Sequence, residues 1–295
     1  MTKTAIHGWV ILDKPSGITS AHAVAKVKRM LRPEKIGHAG TLDPLASGIL
    51  PLALGEATKT VPYMMDAEKT YGFTVIWGVQ TDTDDSEGQV VARSENRPKK
   101  EDILYILPDF MGDIQQLPPN YSALKVDGKR AYELAREGKE VELKPRQVTV
   151  HSLELVDYDA EKASFICRCS KGTYVRSLAR DIGLKLGCLG HISVLRRLAV
   201  GHFTENHAIS LEVLHEMVHN GATKVWPVDA ALDDILAWEI TPDQATLLKA
   251  GRVLPFSGIR AEETPITLLA RCEGRAVAIC EGSQGTVKPV RVFNL

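Results

Sequence analysis

The chain has 295 residues, of which 44% are hydrophobic and 25% charged, so it contains ample apolar material for a folded core. No run of eighteen apolar residues occurs and the N-terminus lacks the apolar stretch of a secretion signal, which excludes a membrane-spanning protein and predicts a cytoplasmic location. The five cysteines are an odd number without CxxC or Cys/His ligand spacing, so the sequence indicates neither a disulfide framework nor a zinc site.

The formal net charge of -1 is distributed unevenly along the chain. Residues 1–36 and 120–200 each carry a net charge of +5, whereas the segment between them and the segment after them are acidic. Two basic segments that converge in the fold would form the basic face that a protein needs to bind a polyanion. For any single lysine among them, a solvated surface position remains the alternative.

An amphipathic helix is predicted near the start of the chain. Thr19 or Ser20 caps it, and Val24, Val27 and Leu31 recur at helical spacing. Most of the basic residues fall on its other faces: Lys26, Lys28, Arg29 and Arg32. The helix therefore has an apolar side and a cationic side.

Residues 37–48, GHAGTLDPLASG, place one acid, Asp43, in an otherwise apolar loop with three glycines. Pro44 disfavours helical backbone at Asp43, and the glycines permit tight turns and close approach of another chain. A carboxylate with leucines and isoleucine around it is partly desolvated and needs a cation. The loop therefore predicts an arginine partner and suggests a nucleophile, with a plain Asp-Pro turn as the alternative.

Residues 71–77 alternate as a strand. Four large side chains fall on one of its faces: Tyr71, Phe73, Val75 and Trp77. Tyr71 is expected at the start of this strand.

The segment TDTDDSEG at residues 81–88 has the composition of a calcium loop. Glu87 occupies the position where an EF-hand requires glycine, so the pattern fails. We predict an exposed acidic turn instead.

Residues 95–147 are predicted to be an insertion that faces RNA. They contain a short helix, the loop LPPNYSA at 117–123 and a second helix near 131–136. The positive charge of this region comes from lysines and arginines: Lys125, Lys129, Arg130, Arg136, Lys139, Lys144 and Arg146.

Two strands over 148–156 and 163–170 precede a helix predicted from about 174 to 186. Its buried stripe consists of four apolar residues: Val175, Leu178, Ile182 and Leu186. Arg176 and Arg180 lie four residues apart on a different face. An arginine in the first turn is unfavourable for the helix dipole, so we expect Arg176 to have a carboxylate partner.

The last segment, residues 236–295, is predicted to form a small β-rich unit. Strand-like stretches at 265–270, 276–280 and 289–293 are separated by glycines, and no long helix is expected.

Several ordered motifs resemble the TruB family of bacterial tRNA pseudouridine synthases over most of the first 200 residues. The loop at 37–48 is similar to the family's catalytic motif, and GWVILDKPSG at 8–17 is similar to its N-terminal motif. Further similar motifs are GEATK at 55–59, KTY at 69–71, TDTD at 81–84, GTYVRSL at 172–178 and LRRL at 195–198.

The resemblance implies an α+β pseudouridine synthase fold, with a mixed, mainly antiparallel sheet and flanking helices. Residues 1–235 would form the catalytic domain, and 236–295 a PUA-like RNA-binding domain. The implied activity is conversion of uridine to pseudouridine at position 55 in the T loop of tRNA, without a cofactor or metal. The implied partner is tRNA, bound through its T arm and T loop by a monomer with no obligatory protein partner, and a secondary tRNA-folding activity is a further expectation.

The resemblance also assigns roles to individual residues. Asp43 would be the nucleophile and Arg176 its ion-pair partner, whereas Tyr71 would stack on the target base and help remove the C5 proton. His38 would occupy space near the extruded nucleotides, and Leu195 would line the uracil pocket.

Five more residues are expected to contact or shape the substrate site. Lys14 is placed beside a rigid proline, where a lysine could meet phosphate. The others are Gly40, Thr41, Leu42 and Tyr174. Base flipping accounts for an aromatic ring in such a site, because the target atoms are inaccessible in a stacked loop.

Two other function classes compete with this interpretation. A hydrolase with an aspartyl nucleophile could use Asp82 and Asp84 as a DxD pair, although the strand context and a metal set are missing. A non-catalytic RNA-binding protein would account for the basic segments but has no need of a desolvated nucleophile. The route of Asp43, by attack at C1′ or C6 or through a glycal, stays open.

Overall fold

The computed structural model describes residues 4–122, 124–126, 129–130, 143–256 and 265–295. Within these ranges the helices are α1 (Ser20–Leu31), α2 (Val61–Asp66), α3 (Lys100–Ile106), α4 (Val175–Lys185), α5 (Leu211–His219) and α6 (Pro242–Lys249). The strands before residue 131 are β1 (Gly8–Lys14), β2 (Ile36–His38), β3 (Ser47–Leu54), β4 (Lys69–Trp77), β5 (Val79–Thr81), β6 (Val90–Arg93), β7 (Gly112–Gln116), β8 (Lys125–Val126) and β9 (Lys129–Arg130). The later strands are β10 (Arg146–Tyr158), β11 (Lys162–Cys169), β12 (Gly190–Val200), β13 (Phe203–Thr204), β14 (Leu236–Glu239), β15 (Leu254–Pro255), β16 (Ile266–Cys272), β17 (Arg275–Ser283) and β18 (Thr286–Val292).

A nine-stranded sheet organises the first part of the chain. Seven strands run in the order β1-β3-β12-β4-β11-β10-β7, with β2 paired to β3 and β13 paired to β12. The β3–β12 pair is parallel, and the other described pairs of this sheet are antiparallel. One buried cluster packs the apolar stripes of α1 and α4 with residues of the sheet. The fold is therefore α+β with a mixed, mainly antiparallel sheet, as predicted.

Both predicted amphipathic helices are confirmed. The Thr19 hydroxyl oxygen accepts a hydrogen bond from the His22 N–H at 3.1 Å, which caps α1. Helix α4 buries the predicted Val175, Leu178 and Ile182 and is followed by Gly187 at φ +67°, a left-handed conformation that favours glycine. The sheet strand β4 likewise buries alternate side chains, as the 71–77 pattern predicts.

The last part of the chain forms a second sheet of five strands, in the order β14-β16-β17-β18-β15. The three predicted strand-like stretches overlap β16, β17 and β18, and the first and third each extend one residue beyond the observed strand. Trp9 and Ile11 of β1 share a buried cluster with Leu269, Ile279 and Phe293, so an apolar interface joins the two sheets. Helices α5 and α6 have no counterpart in the sequence-based prediction.

The predicted insertion lies only in part within the described residues. Helix α3 is the short helix expected there, and β8 and β9 pair in an antiparallel manner. The helix predicted near residues 131–136 lies outside the described residues. None of the helices in the described ranges is long and apolar enough to cross a membrane.

Candidate active site

The loop that carries Asp43 connects β2 to β3, and Ser20 of α1 and the preceding Gly17 hold it in place. The Ser20 hydroxyl donates a hydrogen bond to the Leu42 carbonyl at 2.9 Å and accepts one from the Leu42 N–H at 2.8 Å. The Gly17 N–H donates to the Pro44 carbonyl at 2.8 Å. Backbone contacts on both sides of Asp43 therefore hold its carboxylate in place.

Lys14 does not reach the surface, so the expectation that it meets phosphate is wrong. Its side chain is fully buried, and its ammonium donates to the carbonyls of Pro15, Ile18 and Pro44 at 3.0, 2.7 and 3.4 Å. Burial lowers its pKa to about 8, against the opposing effect of Asp43. Lys14 therefore supports the loop from below by satisfying its carbonyl groups.

Arg176 lies at the start of α4 and forms an ion pair with Asp43, with 2.9 Å between Nε and Oδ2. The arginine side chain is 5% exposed and the Asp43 side chain 36%. The two terminal nitrogens of Arg176 donate to the carbonyls of Thr83 and Tyr121 at 2.9 and 2.8 Å. These bonds fix the orientation of the guanidinium relative to the carboxylate.

The pKa of Asp43 is raised above its ordinary value, mainly because burial disfavours the charged form. The guanidinium of Arg176 opposes this by stabilising the anion, and the more distant Lys14 acts in the same direction. Asp85 has the opposite effect, since its negative charge repels that of Asp43. The ionised form of Asp43 therefore depends on stabilisation by its cationic neighbours.

The acidic segment at 81–88 is not an exposed turn, which corrects the sequence-based prediction. Asp84 and Asp85 are only 5% and 3% exposed, because two arginines of α4 cover them. Arg180 pairs with Asp84 at 3.0 Å, and Arg176 lies 3.6 Å from Asp85. Burial raises the pKa of Asp84 to about 6, with Arg180 opposing.

Two cavities of about 610 and 520 Å³ meet at the Asp43–Arg176 pair, which lines both, as do Thr41 and Leu42. His38 lines the first cavity. The second is lined by the other residues predicted for substrate contact: Gly40, Tyr71, Tyr174 and Leu195. The structure thus brings together the predicted site residues, apart from the buried Lys14.

The sequence-based interpretation missed three residues that build the site. Ser20 was assigned only as a helix cap, and Asp85 was placed in a solvated turn. Arg197 received no role, although it stands in the LRRL motif at 195–198 and lines the second cavity. The repetition of acids in the 81–88 segment, opposite two arginines spaced four apart, was the available signal for Asp85.

Among the residues that the structure describes, no group of three or more His, Cys, Asp or Glu side chains could hold a metal ion. The chemistry available to these residues is that of an aspartate held by a buried arginine, beside a tyrosine and a leucine. A carboxylate in such a setting can act as a nucleophile.

Comparisons with known proteins agree with this arrangement. The model of the TruB family pseudouridylate synthase (N terminal domain) matches residues 28–175, and that of the tRNA pseudouridylate synthase B C-terminal domain matches residues 176–237. A Bradyrhizobium diazoefficiens protein named tRNA pseudouridine synthase B is 51% identical, over 98% of this chain and 86% of its own length. A Caulobacter sp. (strain K31) protein of the same name is 48% identical, over 99% of this chain and 97% of its own.

Solved structures show the same fold. A chain from an H/ACA ribonucleoprotein bound to a substrate RNA containing 2'-deoxyuridine superimposes with a TM-score of 0.76 at 25% identity, covering 98% of this chain and 85% of that one. A chain from an archaeal box H/ACA Nop10-Cbf5 complex gives a TM-score of 0.74 at 25% identity, covering 97% of this chain and 86% of that one. The family models and the relatives together show that this chain belongs to the TruB family of pseudouridylate synthases.

Proposed function

We propose that the protein isomerises uridine at position 55 in the T loop of tRNA to pseudouridine, with Asp43 as the nucleophile. The observation that carries this proposal is the Asp43–Arg176 ion pair at the wall shared by two cavities. The names of the relatives supply the substrate class, since both are called tRNA pseudouridine synthase B.

The reaction breaks the N1–C1′ glycosidic bond, turns the uracil and rejoins it to the ribose through C5, which releases the C5 proton. One carboxylate suffices as the nucleophile, provided that it is ionised. Burial raises the pKa of Asp43, so its anion needs the adjacent guanidinium of Arg176. In this proposal Arg176 keeps the nucleophile charged and oriented while the base is detached.

The target base must leave its stack to reach Asp43, because the reacting atoms are covered in a folded T loop. Tyr71 and Leu195 line one cavity beside Asp43 and offer an aromatic face and an apolar wall to a flipped uracil. Stacking on an aromatic side chain contributes about 1–3 kcal/mol, which offsets much of the unstacking cost. His38, in the other cavity, is assigned to the neighbouring extruded nucleotides.

We assign residues 1–235 to catalysis and 236–295 to a PUA-like RNA-binding domain. The second sheet has a buried core of its own, including Leu248, Leu268 and Val287, which supports a separate unit. The T arm would be bound across the basic segments 1–36 and 120–200. We also assign a secondary tRNA-folding activity to this RNA-binding surface, independent of Asp43.

The test uses unmodified tRNA labelled with tritium at C5 of uridine. We expect stoichiometric release of tritium to water and a single pseudouridine at position 55, mapped by chemical modification and primer extension. Asp43→Asn should abolish tritium release and leave tRNA affinity within a few-fold, because the substitution removes the charge but keeps the shape.

The same inactive variant tests the proposed tRNA-folding activity. Faster refolding of misfolded tRNA in its presence would support this second activity, and no acceleration would contradict it.

Asp13→Asn is the matched control, since Asp13 forms an ion pair with Arg196 that is partly exposed to solvent. It should retain full turnover. Release of tritium by Asp43→Asn at the wild-type rate would refute the nucleophile. Release without a modification at position 55 would refute the T-loop site while leaving the reaction intact.

A further inference from the structure

Helices α1 and α5 pack against the same core, and a groove of about 490 Å³ lies between their outer sides. Ala23 and Val27 of α1 share a buried cluster with Leu211 and Leu214 of α5, which fixes the two helices relative to each other. The groove is lined by six residues: Lys26, Arg29, Met30, His215, Val218 and His219. None of these six lines either of the two cavities beside Asp43, so the groove is separate from the candidate active site.

The groove carries positive charge that no carboxylate of its lining balances. Lys26 and Arg29 face it from α1, and within the described part of the chain neither forms an ion pair with an Asp or Glu side chain. The two acids of α5, Glu212 and Glu216, are exposed and lie outside the lining. The two histidines of the lining add imidazole N–H donors. A site with unpaired cations and hydrogen-bond donors favours an anionic occupant.

One face of α1 connects this groove to the first cavity. Thr19, the residue that caps α1, lines the first cavity. His22, Lys26 and Arg29 follow it at intervals of three, four and three residues, which places all four on one face of the helix. A rise of about 1.5 Å per residue puts Lys26 about 10 Å and Arg29 about 15 Å from Thr19 along the helix axis. A polynucleotide strand that leaves the first cavity along this face would therefore pass the groove.

The exposure of the groove fits a phosphodiester backbone better than a small anion. Arg29, His215 and His219 are exposed to solvent, and the two cations follow one another along the helix instead of enclosing one point. An RNA strand presents one negative charge per nucleotide, which matches a row of solvated cations. Contacts of this kind set the position and orientation of the nucleic acid and carry no sequence information.

We propose that the groove between α1 and α5 binds backbone phosphates of the tRNA strand that leaves the first cavity. Lys26 and Arg29 supply the charge, and His215 and His219 donate hydrogen bonds to phosphate oxygens. This inference rests on the proposed function, because it assigns a second contact for the same tRNA, away from the reacting base.

The experiment measures the Kd of unmodified tRNA by filter binding to the Asp43→Asn protein, so that no turnover occurs during the measurement. We expect Lys26→Gln and Arg29→Gln each to raise the Kd about 3-fold at physiological salt, and the pair to raise it about 10-fold. The slope of log affinity against log salt should become shallower by about 0.7–0.9 for each substitution. His215→Ala with His219→Ala should raise the Kd about 3-fold, as expected for lost hydrogen bonds.

Two further variants separate the groove from general positive charge. Arg93 lies exposed at the end of β6, in the acidic part of the chain, and lines neither the groove nor the two cavities. Arg93→Gln removes the same charge as Arg29→Gln and should leave the Kd within about 2-fold. Lys28 is exposed on α1 but lies outside the groove. A loss for Lys28→Gln as large as that for Lys26→Gln would overturn the assignment to the groove.

Phosphate-ethylation interference identifies the contacts on the RNA. One or two phosphates next to the flipped nucleotides should weaken binding to the Asp43→Asn protein when ethylated, and should lose this effect when Lys26→Gln and Arg29→Gln are added. An unchanged interference pattern, or an unchanged Kd in the groove variants, would overturn the inference. Absence of tritium release by the wild-type enzyme, with these effects on binding intact, would instead refute the proposed function and leave the phosphate-binding groove in place.

Discussion

Replacing Arg176 by methionine tests whether this residue keeps the nucleophile charged. The substitution preserves most of the apolar stem and removes a guanidinium that is 2.9 Å from Asp43 and 3.6 Å from Asp85. Removing one partner of a buried ion pair lowers the free energy of unfolding by about 3–5 kcal/mol. For the interaction with Asp43 we take about 2–3 kcal/mol, because this side chain is partly exposed to water. If the transition state loses about 2–3 kcal/mol of stabilisation of the Asp43 charge, the rate falls about 30- to 150-fold.

The pH dependence of this variant gives the sharper test. Burial already raises the pKa of Asp43, and loss of the guanidinium raises it further. Because the reaction needs the anion, the active fraction is lost at a higher pH than in the wild type, and alkaline conditions should restore part of the rate. Single-turnover tritium release, measured from mildly acidic to alkaline pH, provides the profile.

A suitable control is Arg168→Met, which breaks an exposed ion pair with Glu68 and should leave the profile unchanged. An Arg176→Met enzyme that turns over at the wild-type rate with weakened tRNA binding would contradict this role of Arg176. That result would make Arg176 an RNA contact and leave the charge of Asp43 independent of it.

Three further substitutions test the support of the site. Gly48→Ala should lower the Tm by several degrees more than Gly17→Ala. Both glycines have positive φ, but only at Gly48 would a Cβ clash with backbone atoms, those of Arg197. Equal decreases in Tm would contradict an effect of this clash. Burial raises the folded-state pKa of Asp84 from 3.8 to about 6, so its carboxyl binds a proton more tightly in the folded chain. The stability of the wild type relative to Asp84→Asn should therefore fall as pH rises from about 4 to about 6, which urea unfolding at several pH values measures; a flat difference would contradict the shift. Lys14→Met leaves buried carbonyls without a donor and should destabilise the protein by about 1–3 kcal/mol in the same urea assay, whereas an unchanged midpoint would contradict this support role.

Local sequence patterns predicted the parts of the fold that depend on neighbours along the chain. Helix α4 follows from a 3.6-residue apolar stripe that ends at Gly187, and β4 follows from alternation between Tyr71 and Trp77. The need of Asp43 for a cation was also readable, because a carboxylate among apolar residues has few alternatives. The family motifs then indicated Arg176 as that cation.

The sequence did not reveal which charges become buried. Arg176 and Arg180 of α4, some ninety residues later in the chain, pair with the buried Asp85 and Asp84. The Lys14 ammonium donates to the carbonyls of Pro15, Ile18 and Pro44. The residues next to Lys14 in the sequence do not specify this environment. Burial of this kind depends on tertiary packing, and the sequence pattern of a single segment does not predict it.

The buried charges around Asp43 also explain why this site is costly to build. Three cations, Lys14, Arg176 and Arg197, are each almost fully buried around one short loop, and only Arg176 has carboxylate partners among the described residues. An apolar replacement of such groups is often neutral or stabilising in other proteins. The free-energy cost of burying these cations is therefore better explained by chemistry than by stability, since Lys14 and Arg197 hold backbone carbonyls in and beside the loop and Arg176 holds the Asp43 carboxylate.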